Sequence, residues 1–177
     1  MKKFAKEKKN KDKEKEFISS IAYWGFIPPK NEGDEAVSKN TLLTGSWDSI
    51  QRVYDDMDPD EKLGKLREPI DRHSRTVGNK NVTHPINFLD LKPELSMTAS
   101  ASEDGTVVLW NHTSHKLEGR LFPNDPDPPS VLCCKFLKNC NCIVTADVEG
   151  YLNFYAIPPS YIKCTLLCRL RWLNEKE

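Results

Sequence analysis

The sequence predicts an all-β chain of about three four-stranded antiparallel units behind a Lys-rich N-terminal arm. Three observations carry this. The apolar runs are short and rich in β-branched and aromatic residues, as in GTVVLWN and GYLNFYA. The 12 prolines fall almost entirely between those runs, which is loop usage in a β-protein. The stretch LSMTASASEDGTVVLWN, Leu95 to Asn111, has two gap-free counterparts: LLTGSWDSIQRVYDD, Leu42 to Asp56, and IVTADVEGYLNFYAI, Ile143 to Ile157.

Residues 1–16 form a basic arm, helical or disordered: residues 1–17 hold eight Lys against four acids, leaving the rest of the chain net acidic by four. Lys2, Lys3, Lys8 and Lys9 are its candidate contacts to an acidic partner. The first unit, 17–70, joins the run FISSIAYWGF (17–26), the hairpin 42–56, an acidic insertion and the run KLGKL (62–66). The second, 71–125, joins PINFLDL (85–91), the hairpin ending at Asn111 and HKLEGRLF (115–122). The third, 126–173, joins SVLCCKFL (130–137), the hairpin 143–157 and IKCTLLCRLRW (162–172), followed by a tail at 174–177. Each hairpin has small or polar residues, a turn at 48–49, 104–105 or 149–150, and a strand ending in an aromatic. Asp104-Gly105 and Glu149-Gly150 are tight-turn pairs, because Gly supplies the positive φ that a two-residue turn needs. Ser49, Gly105 and Gly150 are equivalent, as are Tyr54, Trp110 and Tyr155. Tyr54 precedes Trp110 by 56 residues and Trp110 precedes Tyr155 by 45. The second spacing suits one four-stranded unit; the first suits one unit with an inserted loop.

A four-stranded antiparallel sheet repeated radially is the blade of a β-propeller. TASASEDGTVVLWN resembles the WD40 repeat, with Asn111 in place of the closing Asp. The outer copies are degenerate: Ser49 replaces the turn Gly, and Tyr54 and Tyr155 replace the Trp. Over residues 17–172 the resemblance implies a partial WD40 β-propeller. That family buries a His–Ser–Asp–Trp hydrogen-bond network. None of the three copies has a Gly-His pair ahead of its first strand, and His84, beside Pro85, is the nearest candidate. The network is thus left without an obvious histidine in any blade. LLTGSWDSIQRVYDD and FLKNCNCIVTADVEGYLNFYAIPPS are also similar to late blades of the large axonemal, cilia- and flagella-associated WD-repeat proteins. This implies a cytoplasmic or cytoskeletal location in a cilium or flagellum, near microtubules. Three blades do not close a ring and leave open strand edges, so the expectation is a fragment of, or complement to, a larger propeller.

The charge balance, 26 basic against 26 acidic residues, argues against a general nucleic-acid surface. No apolar run is long enough to span a membrane, and the N-terminus lacks the apolar core of a signal peptide. Six Cys without a secretory signal fit free thiols in a reducing compartment. Asp56, Asp58 and Asp60 alternate like the start of a calcium loop, but Glu61 and Arg67 occupy its required Gly and Glu places. Cys133, Cys134, Cys140 and Cys142 crowd together, yet adjacent strand residues point to opposite faces, so Cys133 and Cys134 cannot share a zinc site. Cys164 and Cys168 are expected on one face of the last strand, as packed thiols. His73, His84, His112 and His115 are scattered through loops, and GDEAVSKN lacks P-loop spacing. The expectation is therefore no enzyme, no cofactor and no metal.

What remains is a scaffold that grips other proteins of a large complex, which also complete the propeller. Trp24, Trp47 and Trp172 are candidate anchors, since aromatics dominate interface hot spots. Trp47 lies next to a turn and so near a blade tip, with packing against a neighbouring blade as its default role. FPNDPDPPS (122–130) is a stiff surface connection between units. Two alternatives stay open: an adaptor whose basic arm binds a tubulin surface or nucleic acid, and a thiol or zinc protein.

Overall fold

The computed structural model describes residues 17–24, 41–55, 73–77, 80–111, 116–121, 127–158 and 164–171. The basic arm with Lys2, Lys3, Lys8 and Lys9, the acidic insertion, the KLGKL run, His112, His115 and Trp172 lie outside them.

All sheets are antiparallel. The first contains β1 (Ile18–Trp24), β2 (Thr41–Ser46) and β3 (Gln51–Asp55) in that order. A two-stranded hairpin follows, β4 (Ser74–Val77) and β5 (Lys80–Thr83). The central sheet runs β6 (Ile86–Lys92), β7 (Met97–Ser102), β8 (Val107–Asn111) and β9 (Lys116–Leu121). The last runs β10 (Val131–Phe136), β11 (Cys142–Asp147), β12 (Tyr151–Ala156) and β13 (Thr165–Arg171). The fold is a partial β-propeller of three successive sheets. The β4–β5 hairpin is absent from the sequence reading, because Ser-Arg-Thr-Val and Lys-Asn-Val-Thr alternate without an apolar run.

Register makes the three sheets equivalent residue by residue. The aromatic of the third strand pairs with the same place of the second each time: Leu42 with Tyr54, Thr98 with Trp110, Ile143 with Tyr155. The turns agree as well. Ser49, Gly105 and Gly150 all have positive φ, at 69°, 80° and 80°. Their amides donate to Ser46, Ser102 and Asp147 carbonyls respectively. Each turn is latched to the start of its first strand by one more amide: Trp47 to Phe17 O, Glu103 to Pro85 O, Val148 to Ser130 O.

Every first strand carries a bulge near its start, between Ile18 and Ser20, Ile86 and Phe88, and Val131 and Cys133. A bulge inserts one residue and shifts the alternation of faces. The inward apolar positions therefore fall at i, i+3 and i+5: Ile86, Leu89 and Leu91 in β6, and Val131, Cys134 and Phe136 in β10. The first set packs against Leu43 and Val53 of the preceding sheet. The second packs against Met97, Ala99, Ala101, Val107 and Leu109. Gly45 is required here, since a Cβ on it would lie 2.8 Å from Ile86 Cγ2.

Polar pins flank these joints. Ser19 Oγ donates to Ile86 O, and Asn87 Nδ2 donates to Val131 O at 2.8 Å. These residues are equivalent, one step along from the first inward position. Asp90 accepts the Phe136 amide at 2.7 Å and pairs with Lys135. Lys92 Nζ donates to the carbonyls of Leu137, at 2.9 Å, and Cys140.

Candidate functional site

The central sheet holds a buried polar network that starts at its turn. Asp104 caps the turn by accepting from the Thr106 amide at 2.9 Å and its hydroxyl at 2.7 Å. His73 Nδ1 donates to Asp104 Oδ2 at 3.1 Å, while its Nε2 lies 2.8 Å from Ser100 Oγ. Trp110 Nε1 donates to that same Ser100 Oγ at 3.3 Å. The reading that found no obvious histidine for this network is thus corrected for the central sheet, and so is the choice of His84. The β4–β5 hairpin separates the histidine from the first strand. The His84 amide closes the hairpin base on His73 O at 2.8 Å, whereas His84 Nε2 is buried with no partner. A histidine ahead of an alternating polar segment was the signal in the sequence.

Burial alone would raise the pKa of Asp104. The hydrogen bond and charge of His73, with the two Thr106 donors, outweigh it and hold the carboxyl below the ordinary range. Such a network is satisfied and structural; it presents no reactive group to solvent. Tyr155 occupies the Trp110 place in the last sheet, and burial pushes its phenol up. Tyr54 occupies it in the first.

Cys140 and Cys142 hydrogen-bond to each other, and desolvation followed by that contact pushes the Cys142 thiol up, but no further thiol joins them among the described residues. Cys134 is buried, and burial pushes its pKa far up, whereas Cys133, Cys140 and Cys168 are exposed. Cys164 packs on the core, but the register shift at Phe154–Tyr155 lies between it and Cys168, so the two do not share a face as expected. Among the described residues no three His, Cys, Asp or Glu side chains converge on one point, and no helix is long and apolar enough to cross a membrane. A groove of about 750 Å³ runs along Asp90–Leu95 and Lys135–Asn141. Its Asp90 and Lys92 are already engaged by the neighbouring strand's backbone.

The outer faces of the array are the candidate interaction surfaces. Ile18, Ile21 and Tyr23 are the β1 equivalents of Ile86, Leu89 and Leu91. They are 62%, 67% and 57% exposed, where Ile86 and Leu89 are 1% and 2% exposed. At the opposite end Val144, Ala146, Leu152 and Phe154 are equivalent to the buried Ala99, Ala101, Val107 and Leu109. They are half-buried or exposed, with Leu152 at 36% against 1% for Val107. Trp47 stands at the tip of the first sheet, 56% exposed, with its ring centroid 5.2 Å from that of Phe17. Among the described residues its ring neighbour is Phe17 of its own sheet. Trp24 ends β1.

Radial sheets with this turn latch and this buried network define a segment of a β-propeller. Residues 75–111 match the family "WD domain, G-beta repeat", and the chain carries a WD repeat in its central sheet. No curated protein sequence matches the chain. Solved structures share its fold. The computationally designed Ika8 protein aligns with a TM-score of 0.55 at 18% identity, over 86% of this chain and 36% of that one. The WD40 domain of Toxoplasma gondii coronin gives 0.55 at 18%, over 86% and 33%. A chain of the Mitotic Checkpoint Complex gives 0.56 at 12%, over 76% and 36%. The chain spans about a third of the length of each of these.

Proposed function

We propose that this chain is a non-catalytic WD-repeat scaffold that grips other proteins of a large assembly and shares its open sheet faces with further propeller sheets. The observation that carries this is the pair of bared flanks, whose equivalents inside the array are buried, Leu91 partly and the others fully. Exposed apolar faces of that extent in a β-protein mark interaction surfaces. The Trp47–Phe17 pair at the first tip adds an aromatic anchor beside one flank. We place the assembly in the cytoskeleton of a cilium or flagellum, close to microtubules. The similarity of residues 42–56 and 136–160 to late blades of axonemal WD-repeat proteins supports this placement.

A tagged chain expressed in ciliated cells tests the reading. The wild type is expected to stay with the detergent-extracted axoneme, and Trp47→Ala to weaken that retention several-fold. A signal that washes out with the soluble fraction overturns the axonemal placement.

A further inference from the structure

The two exposed flanks are the two halves of one joint, and the chain already displays that joint twice. At each internal joint a receiving face of second and third strands takes the first strand of the next sheet at its i, i+3 and i+5 positions. Gly45 of the first sheet lies under the Ile86 side chain, and the small Ala101 holds the equivalent place in the second. Ala146 keeps the same place small in the third, although none of the described residues docks there. The first sheet offers the exposed Ile18 and Ile21 as an incoming set, with Tyr23 at the third position; the third offers Val144, Ala146, Leu152 and Phe154 as a receiving set.

We propose that a second copy of this chain fills both flanks, the first sheet of each copy docking on the third sheet of the other, so that two copies close a ring of six sheets. This rests on the flanks being docking surfaces, as argued above. Six sheets lie within the four to eight of known propellers, and a head-to-tail joint closes on two copies when each spans half the circle. The polar pins are not repeated at this joint. Leu132 stands where Ser19 and Asn87 donate, and Lys135 where Asp90 accepts. The joint between copies is held by apolar contact alone, is weaker than the internal ones, and opens on dilution.

Light scattering coupled to size exclusion, on the purified full chain from about 1 to 100 µM, reads this directly. Wild type is expected to move from one to two chain masses with rising concentration. Ile21→Asp and Leu152→Asp are each expected to stay monomeric; both positions are exposed, and circular dichroism checks that both variants fold. Mixed in equal amounts, the two variants should recover a dimer. One joint then keeps both native faces: the first sheet of the Leu152→Asp chain on the third of the Ile21→Asp chain. A like-with-like interface cannot show this rescue. Leu132→Asn, which restores a pin at each of the two joints, should tighten association about ten- to a hundred-fold, the value of two net hydrogen bonds. A wild-type monomer at the highest concentration, a ladder of higher multiples, or a mixture that stays monomeric overturns the proposal. A monomer that is nonetheless retained on axonemes removes only the self-closure and leaves the scaffold reading standing.

Discussion

Ser49 carries two penalties that its equivalents Gly105 and Gly150 avoid. Its φ of 69° is left-handed, which costs an L-residue roughly 1–2 kcal/mol, and its hydroxyl is buried without a partner. Ser49→Gly removes both at the cost of a looser unfolded chain, so a net stabilisation of about 1 kcal/mol is expected, read as a rise of about 3 °C in Tm. The reverse change separates the two glycines. At Gly105 a Cβ would lie 2.6 Å from Pro128 O, whereas at Gly150 it meets nothing within 4 Å. Gly105→Ala should therefore destabilise by about 3 kcal/mol and Gly150→Ala by about 1 kcal/mol in denaturant titrations. His73→Ala strands the buried Asp104 and should cost about 3 kcal/mol at neutral pH. Because the folded carboxyl titrates below its ordinary value, the stability it contributes is complete above about pH 4 and lost as pH falls through the folded pKa. The gap between wild type and His73→Ala should shrink over that acid range.

Among elements, the first strands decide how sheets stack. Their bulge turns a period of two into the spacing i, i+3, i+5, so a search for strict alternation misplaces the inward face. Once the bulge is known, ISSIAY, INFLDL and VLCCKF all show the pattern, legible in the letters but not deducible from them. The pins add direction to the apolar stacking. Asp90→Ala removes the acceptor of the buried Phe136 amide and should cost about 2 kcal/mol in thermal unfolding, with Asn87→Ala costing about 1 kcal/mol. The β4–β5 hairpin was illegible for the converse reason. It is short and polar, and its placement depends on a backbone contact between His73 and His84.

For the whole molecule, the thiols report the integrity of the array. Cys134 is sealed between the central and last sheets, within 3.8 Å of Ala99 O, while Cys133, Cys140 and Cys168 are exposed. Alkylation of the native protein should label those three within minutes and spare Cys134 until the joint opens in denaturant, as peptide mass mapping would show. The same joint, repeated at the bare ends, makes the molecule an arc rather than a closed body. Among the described residues no further sheet covers the apolar faces there.

The sequence by itself determined the repeat: three hairpins, three equivalent turns, a first strand before each and a final strand after the second and third. Local pattern suffices for these, because alternation, turn residues and spacing act over a few neighbours. Only the tertiary structure decided which histidine completes the buried network, which residues pin one sheet to the next, and that Trp47 faces solvent. Those outcomes depend on groups brought together from 27 to 69 positions apart, whose distances no local pattern encodes.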